Sequence, residues 1–332
     1  MNRAIVQRAF GGEPLDVLEL VEKEKPKASA GHVVVKLTAR SIIPYDFVCI
    51  RQADLECFRD QQPVTGIDGC GIVDEVGEGV TKYKIGDRVI PILLWKYLYG
   101  KGQGSWQDYI EVAEDDIIPC PETIPDEVAA QLLMTECALY GSFMDLEIPQ
   151  GEWFLQTAAN SNFGRQIIQL AKHRGIKTIN IVRRDNVIEA LKALGADEVI
   201  NFTKEDVISK VKEITGGKGV YAAHDAIAGT LSKSVAACVR DGGTLFMVSE
   251  LSGTDFMLNT MDLHRHLVID YWDIATVFLA DRRDKVIAEV VQLLKRNVIT
   301  PLIRKKYHLI GFKEALKEAE MSGKSGRILL VG

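Results

Sequence analysis

The sequence predicts an α/β protein with two parts: a doubly wound parallel sheet, and a β-rich unit contributed by both ends of the chain. Three observations predict it. From residue 153 onward, short β-rich apolar runs alternate with stretches of helical period, as in parallel strand-helix-strand units. Before residue 121, short strands and glycine turns dominate instead, and the last part of the chain changes character again. With 332 residues, the chain can also bury two separate cores. We expect residues 1–123 and 277–332 to form the β-rich unit and 124–276 the parallel-sheet unit.

In order along the chain, 33–37, 71–73 and 87–90 read as strands, with Gly77, Gly79 and Gly86 in the turns. Pro121 and Pro125 bracket a breaker cluster, after which 127–144 has the spacing of one amphipathic helix. Residues 154–157 form a strand, 177–182 a second, 187–194 a helix closed by Gly195, and 198–200 a third strand. The alternation continues through a helix at 205–214, a strand at 220–227, a helix at 231–239 and strands at 244–249 and 267–271. A helix at 285–296, a strand at 307–310, a helix at 312–320 and a strand at 327–331 return to the β-rich unit.

The most informative stretch runs from Trp153 to Arg184. Behind the strand, Ala159, Ser161 and Gly164 occupy the positions of a glycine fingerprint, and Ile167, Ile168, Leu170 and Ala171 follow at helical spacing. Small residues there let a backbone approach a pyrophosphate, which sits at the helix N-terminus where unpaired N–H groups favour negative charge. The turn 159–164, through Ala159, Asn160, Ser161, Asn162, Phe163 and Gly164, is therefore the expected cofactor cradle. Arg183 and Arg184 end the second strand, about 20 residues past the turn, where an acidic residue would accept from a ribose and an arginine fork suits a 2′-phosphate. The expected cofactor is NADPH in preference to NADH, although Asp185 follows directly.

Composition narrows the function classes. Hydrophobic residues at 47% and charged residues at 26% are ordinary, and a net charge of −6 gives no electrostatic reason to expect nucleic acid or an anionic membrane. The start, MNRAIVQRAF, enters a strand pattern without a charged-then-apolar leader, and no apolar segment is long enough to span a bilayer. We expect a cytoplasmic protein. The six cysteines (Cys49, Cys57, Cys70, Cys120, Cys137 and Cys238) form no C-x-x-C pair and read as reduced and mainly structural.

The ordered set GIDGCGIVDEVGEGVTKYKIGDRVIP, GQGSWQDYIEV, the cofactor turn and the closing KSGRILLVG resembles the medium-chain dehydrogenase/reductase superfamily over nearly the whole chain. Within it, QTAANS followed by KTINIVRR is similar to zinc-free quinone oxidoreductases and mitochondrial trans-2-enoyl-CoA reductases. The resemblance implies a GroES-like catalytic domain, a Rossmann domain, an active cleft between them, NADPH and a homodimer. The homodimer would extend the Rossmann sheet through its last strand.

Zinc is not expected. A catalytic zinc needs about three protein ligands, and a structural one about four cysteines. Where zinc-dependent relatives carry a cysteine ligand this chain has Ser41-Ile-Ile-Pro-Tyr-Asp46, and where they have Gly-His-Glu it has Gly66-Ile67-Asp68. Its histidines, among them His264 and His266, show no ligand spacing. Without a Lewis acid the accessible chemistry is hydride delivery to an activated C=C bond or a quinone, with hydrogen-bond donors stabilising the developing enolate. The substrate is then a small molecule.

The resemblance also locates departures. Enoyl reductases carry Ile-Asn-Pro-x-Asp and a later catalytic tyrosine; here the asparagine position is Ile43, Asp54 falls near the tyrosine position, and Pro44 and Asp46 remain. Tyr45 is a candidate proton donor on the substrate side, or a residue that packs the loop. The threonine that approaches the nicotinamide in relatives is replaced by Ala138, and Thr135, one turn earlier, is a candidate to restore the polar contact. Trp106 and Tyr271 match aromatics near the substrate, Trp272 one near the nicotinamide, and Ser249 a cofactor contact; Lys324 and Arg327 support the cofactor or are solvated. The altered Ile43 and Ala138 also leave open a cofactor-binding sensor or interaction protein with little catalysis.

Overall fold

The computed structural model describes residues 1–9, 11–51, 63–93, 103–249, 251, 255–278, 280–321 and 325–332. Asp54, Cys57 and Lys324 lie outside the described residues. Two compact units emerge: Met1–Thr135 with Pro301–Gly332, and Glu136–Thr300.

The first unit is β-rich. β1 (Asn2–Gln7) and β2 (Leu18–Lys23) pair as a hairpin. The main sheet contains β3 (His32–Ile42), β4 (Gly69–Val76), β5 (Arg88–Pro91), β6 (Tyr109–Ala113), β7 (Ile117–Pro119), β14 (Ile303–His308) and β15 (Arg327–Val331). Its order is β14-β15-β3-β4-β5-β7, with β6 also on β3, so the chain's last strand pairs with β3 and carries β14 on its other side. One core joins Ile5, Phe47, Trp106, Phe312, Leu316 and Leu330; a second joins Val33, Val35, Val73, Val89, Ile110 and Val112.

The second unit holds β8 (Trp153–Gln156), β9 (Lys177–Val182), β10 (Glu198–Asn201), β11 (Val220–Asp225), β12 (Val239–Met247) and β13 (Val268–Tyr271). All are parallel, in the order β10-β9-β8-β11-β12-β13. Numbered by sequence this is the 3-2-1-4-5-6 order of a Rossmann sheet, which reverses between β8 and β11 and places a ligand outside their carboxyl ends. Apolar residues from strands and helices interlock beneath that point, with Leu155, Ile179, Ala223, Val235 and Leu245 at their centre.

Two readings change. The helix expected over 127–144 is divided: Asp126–Ala129 is α-helical, Leu132–Cys137 is a π turn, and Ala138–Met144 is α-helical again. The helix Ala280–Lys295, assigned from sequence to the β-rich unit, belongs to the second unit. The physical reason is that its neighbourhood packs on the helix Ala138–Met144. A Cβ on Gly141 would meet Val277 at 2.8 Å, and Arg282 pairs with Asp145 at 2.5 Å.

Candidate active site

The turn after β8 is built by its own residues. Ala158 takes the left-handed conformation with φ +50°, and Ser161 N–H donates to its carbonyl at 2.9 Å. Ser161 caps the helix Asn162–His173, its hydroxyl accepting from Gly164 N–H at 3.0 Å. A Cβ at Gly164 would lie 2.8 Å from both the carbonyl oxygen and the Cα of its neighbours Ala158 and Ala159. Of the fingerprint positions, then, only the third requires glycine on this backbone. Ala159 is fully buried, Asn160 and Phe163 are half-buried, and Asn162 begins the helix. The helix N-terminus is left facing the end of β8, a geometry that fits a dinucleotide pyrophosphate.

A polar ladder that the sequence reading missed underlies the turn. The buried Gln156 amide donates to Gly164 O at 2.9 Å and to Asn180 Oδ1 at 2.8 Å, and Asn180 donates in turn to Thr178 Oγ1 and Glu198 O. Across the reversal point, Asp225 Oδ1 accepts from Thr157 Oγ1 at 2.8 Å and from Ile227 N–H at 2.9 Å, while Ala226 N–H donates to Thr157 Oγ1. The signal in the sequence was a polar residue ending β8 and β11, Gln156 and Asp225, and the polar Thr178 and Asn180 inside β9. Below lies His224, fully buried among Phe143, Phe154, Phe163 and Phe246, with a pKa pushed down to about 3 by desolvation against one contact to Ser142 O.

Arg183 and Arg184 are exposed at the end of β9. Asp185 next to them is committed elsewhere: its carboxylate accepts from Asn201 Nδ2 at 2.5 Å and pairs with Lys204, which together hold it below the usual carboxylate range. The residue that argued for NADH in the sequence is thus turned toward β10. Ser249 is half-buried just past β12. Trp272 is nearly buried against Gly141, its indole N–H donating to Asp145 at 2.8 Å, whereas Tyr271 at the end of β13 is 50% exposed.

In the first unit, Pro44 opens the helix Pro44–Arg51, and Asp46 reaches back to accept from Ile43 N–H at 2.7 Å, a capping arrangement. Burial pushes the Asp46 carboxyl up to about 7, opposed by Ile43 N–H, the Arg327 charge and Ile67 N–H. Tyr45 is half-buried and hydrogen-bonds the Cys49 thiol one turn on, where burial raises the thiol pKa. Thr135, on the π turn, is 2% exposed and accepts at Oγ1 from Arg327 Nη2 at 2.8 Å. Arg327 Nη1 donates to Ile42 O at 3.1 Å, so one guanidinium joins the entry of the Tyr45 helix to Thr135. Trp106 has no exposed surface; its indole donates to Ser41 O at 3.2 Å, and its ring fills the space a Cβ on Gly66 would need.

The residues at the ligand positions of a zinc site do not suit the metal. Ser41, Ile67 and Asp68 supply neither thiolate nor imidazole, and among the described residues no group of three or more His, Cys, Asp or Glu side chains could hold a metal ion. Among the described residues, Cys49, Cys70, Cys120, Cys137 and Cys238 form no disulfide and are buried.

A parallel sheet of this order with a capped phosphate turn, in one chain with a β-rich unit completed by the C-terminus, defines a two-unit dinucleotide-binding protein. Residues 29–122 match the family model for the alcohol dehydrogenase GroES-like domain, and residues 164–296 that for the zinc-binding dehydrogenase domain. The mitochondrial enoyl-[acyl-carrier-protein] reductase of Caenorhabditis elegans is 33% identical over 263 residues, covering 76% of this chain and 71% of that protein. The Bos taurus enzyme of the same name is 34% identical over 59% of this chain, which spans about half (51%) of its length. A putative NADPH:quinone reductase from Bacillus thuringiensis superposes with a TM-score of 0.88 at 25% identity, over 100% of this chain and 99% of that one. The chain belongs to the medium-chain dehydrogenase/reductase superfamily, on its branch of quinone oxidoreductases and enoyl reductases.

Proposed function

We propose that this chain is an NADPH-dependent reductase that reduces an activated C=C bond, in an enone or enoyl thioester, or a quinone, without a metal. The observation that carries the reading is the capped turn 159–164 together with Arg183 and Arg184 at the end of β9, while Asp185 is held by Asn201 and Lys204. Bound NADPH supplies a hydride. The backbone of Ala159 to Gly164 holds its pyrophosphate, Arg183 and Arg184 take its 2′-phosphate, and Ser249 and Trp272 support its nicotinamide end. The Thr135 hydroxyl donates a hydrogen bond to the substrate oxygen that gains charge, the task a Lewis acid performs in metal-dependent relatives. Tyr45 donates the proton that completes the reduction, and Tyr271 lies on the substrate side. Trp106, without exposed surface, supports the wall of its unit from within.

The reading includes a cytoplasmic homodimer acting on a small molecule. No helix of the described residues is long and apolar enough to cross a membrane. β13 lies at the sheet edge with Val268 and Tyr271 about half exposed, at 53% and 50%, and an uncovered apolar edge favours pairing with a second copy. Sedimentation velocity that finds only monomer would remove this part.

NADPH oxidation followed with quinones, 2-enals, enones and enoyl-CoAs tests the whole. Turnover of at least one acceptor class is expected; tight NADPH binding with no oxidation would leave the sensor reading. Tyr45→Phe should lower turnover by about 100-fold if the phenol delivers the proton. Unchanged turnover removes Tyr45 from that role.

A further inference from the structure

Arg327 opens β15, 192 residues beyond Thr135, yet its guanidinium ends on the π turn. Its three nitrogens reach two segments: Nη2 to Thr135 Oγ1 at 2.8 Å and Nε toward Gln131 Oε1, one turn earlier, at 3.5 Å, and Nη1 to Ile42 O at 3.1 Å. The half-buried cation also lies near enough to the buried Asp46 carboxylate to favour its charged form. Geometry fixes the sense of the contact with Thr135. A guanidinium has donors and no acceptor, so Oγ1 accepts and the hydroxyl keeps its own proton. The backbone N–H of Thr135 goes to Gln131 O at 3.0 Å, and within its unit no described residue accepts the hydroxyl proton of this 2% exposed side chain.

We propose that Arg327 is the positioning residue of the reductase: it holds the Thr135 hydroxyl in the one rotor that donates to the substrate oxygen, and polarises that O–H bond. The inference rests on the role given to Thr135 above. Thr135 lies on the π turn, and among the described residues of its unit its hydroxyl takes no carbonyl one turn back. A threonine in a regular helix would instead have its hydroxyl within reach of a carbonyl one turn back, which would consume the proton. Since the same guanidinium also holds Ile42 O, immediately before Ile43, Pro44 and Tyr45, it couples the two polar candidates of the first unit to one cation.

The test is a double-mutant cycle on the full-length protein with NADPH and either crotonyl-CoA or 1,4-naphthoquinone. Thr135→Val, which keeps the shape and removes the hydroxyl, should lower kcat by roughly 100-fold, with KM and NADPH affinity within about 2-fold. Arg327→Ala should lower kcat by about 10- to 100-fold with the same split, Arg327→Lys should recover part of it, and the double variant should be no slower than Thr135→Val. Arg327→Met keeps the length of the stem and serves where the alanine variant does not fold. Losses that multiply in the double variant, or an Arg327 variant that loses thermal stability or NADPH affinity while keeping kcat, would overturn the inference and leave the function standing. Thr135→Val with wild-type kcat would overturn both the inference and the role of Thr135. A wild-type protein that oxidises NADPH with neither of these acceptors nor with 2-enals and enones would overturn the function itself, and the inference with it.

Discussion

The candidate sites of the two units are assembled in different ways. In the unit Glu136–Thr300, the turn after β8 is closed by residues near it in sequence, Ser161 on Gly164 three residues on and Gln156 on Gly164 O eight residues on, with longer-range contacts such as Thr157–Asp225 only beneath it. In the unit Met1–Thr135 with Pro301–Gly332, Arg327 meets Thr135 and Ile42, respectively 192 and 285 residues away in sequence. The site that the sequence marks most directly is therefore the local one. A phosphate turn is specified by a dozen consecutive residues; a polarised hydroxyl that depends on a cation from the last strand is specified by no continuous segment.

The largest effect that sharpens this comparison is at Gly164. Gly164→Ala sets a methyl 2.8 Å from Ala158 O and the Ala159 backbone, so NADPH affinity should fall by at least about 100-fold, measured by nucleotide fluorescence titration. Thr135→Val should leave the same titration almost unchanged, and a similar loss there would erase the distinction between the two units. Next comes the coenzyme. Replacing Arg183 and Arg184 together with alanine should weaken NADPH binding by about 10- to 100-fold and NADH binding by less than about 3-fold, the loss of charge-assisted contacts to one phosphate. Equal losses would mean that the arginines do not read the 2′-phosphate.

The smallest effect concerns pH, where the units should respond with opposite sign. Asp46 has a folded pKa raised to about 7 from an ordinary 3.8, so its share of stability is complete below 3.8 and is lost as the pH rises through 7. His224 has a folded pKa lowered to about 3 from 6.5, so its share is complete above 6.5 and is lost as the pH falls toward 3. Hydrogen exchange followed in each unit between these limits should show Asp46→Asn flattening the first dependence and His224→Phe the second. A dependence that survives the substitution would assign it to another group.

Much of the fold was legible because the strand-helix alternation after residue 153 and the glycine-punctuated strands before 121 each carry their own period. The boundary elements were not. The π turn Leu132–Cys137 preserves a helical hydrophobic pattern while altering the direction of its side chains, so periodicity alone reads one continuous helix over 127–144. The helix Ala280–Lys295 has no local mark of which core it joins; that is decided by Gly141, which leaves room for Trp272 and Val277, and by the pair Arg282–Asp145. At the site, the cofactor turn was visible from its small residues, but Trp106 shows how a motif position identifies a residue without revealing its exposure. Arg327 could be named and not placed, since its partners Gln131, Thr135 and Ile42 are far from it in sequence and meet it only in the folded unit.

The central claim is hydride transfer, and isotope tracing tests it most directly. With NADPH deuterated on both faces at the nicotinamide C4 and crotonyl-CoA or 1,4-naphthoquinone as acceptor, NADPH loss should match reduced product. If the thioester is the acceptor turned over, one deuterium should appear on its β-carbon. Tight binding of NADPH without reduction of these acceptors or of 2-enals and enones would contradict the account.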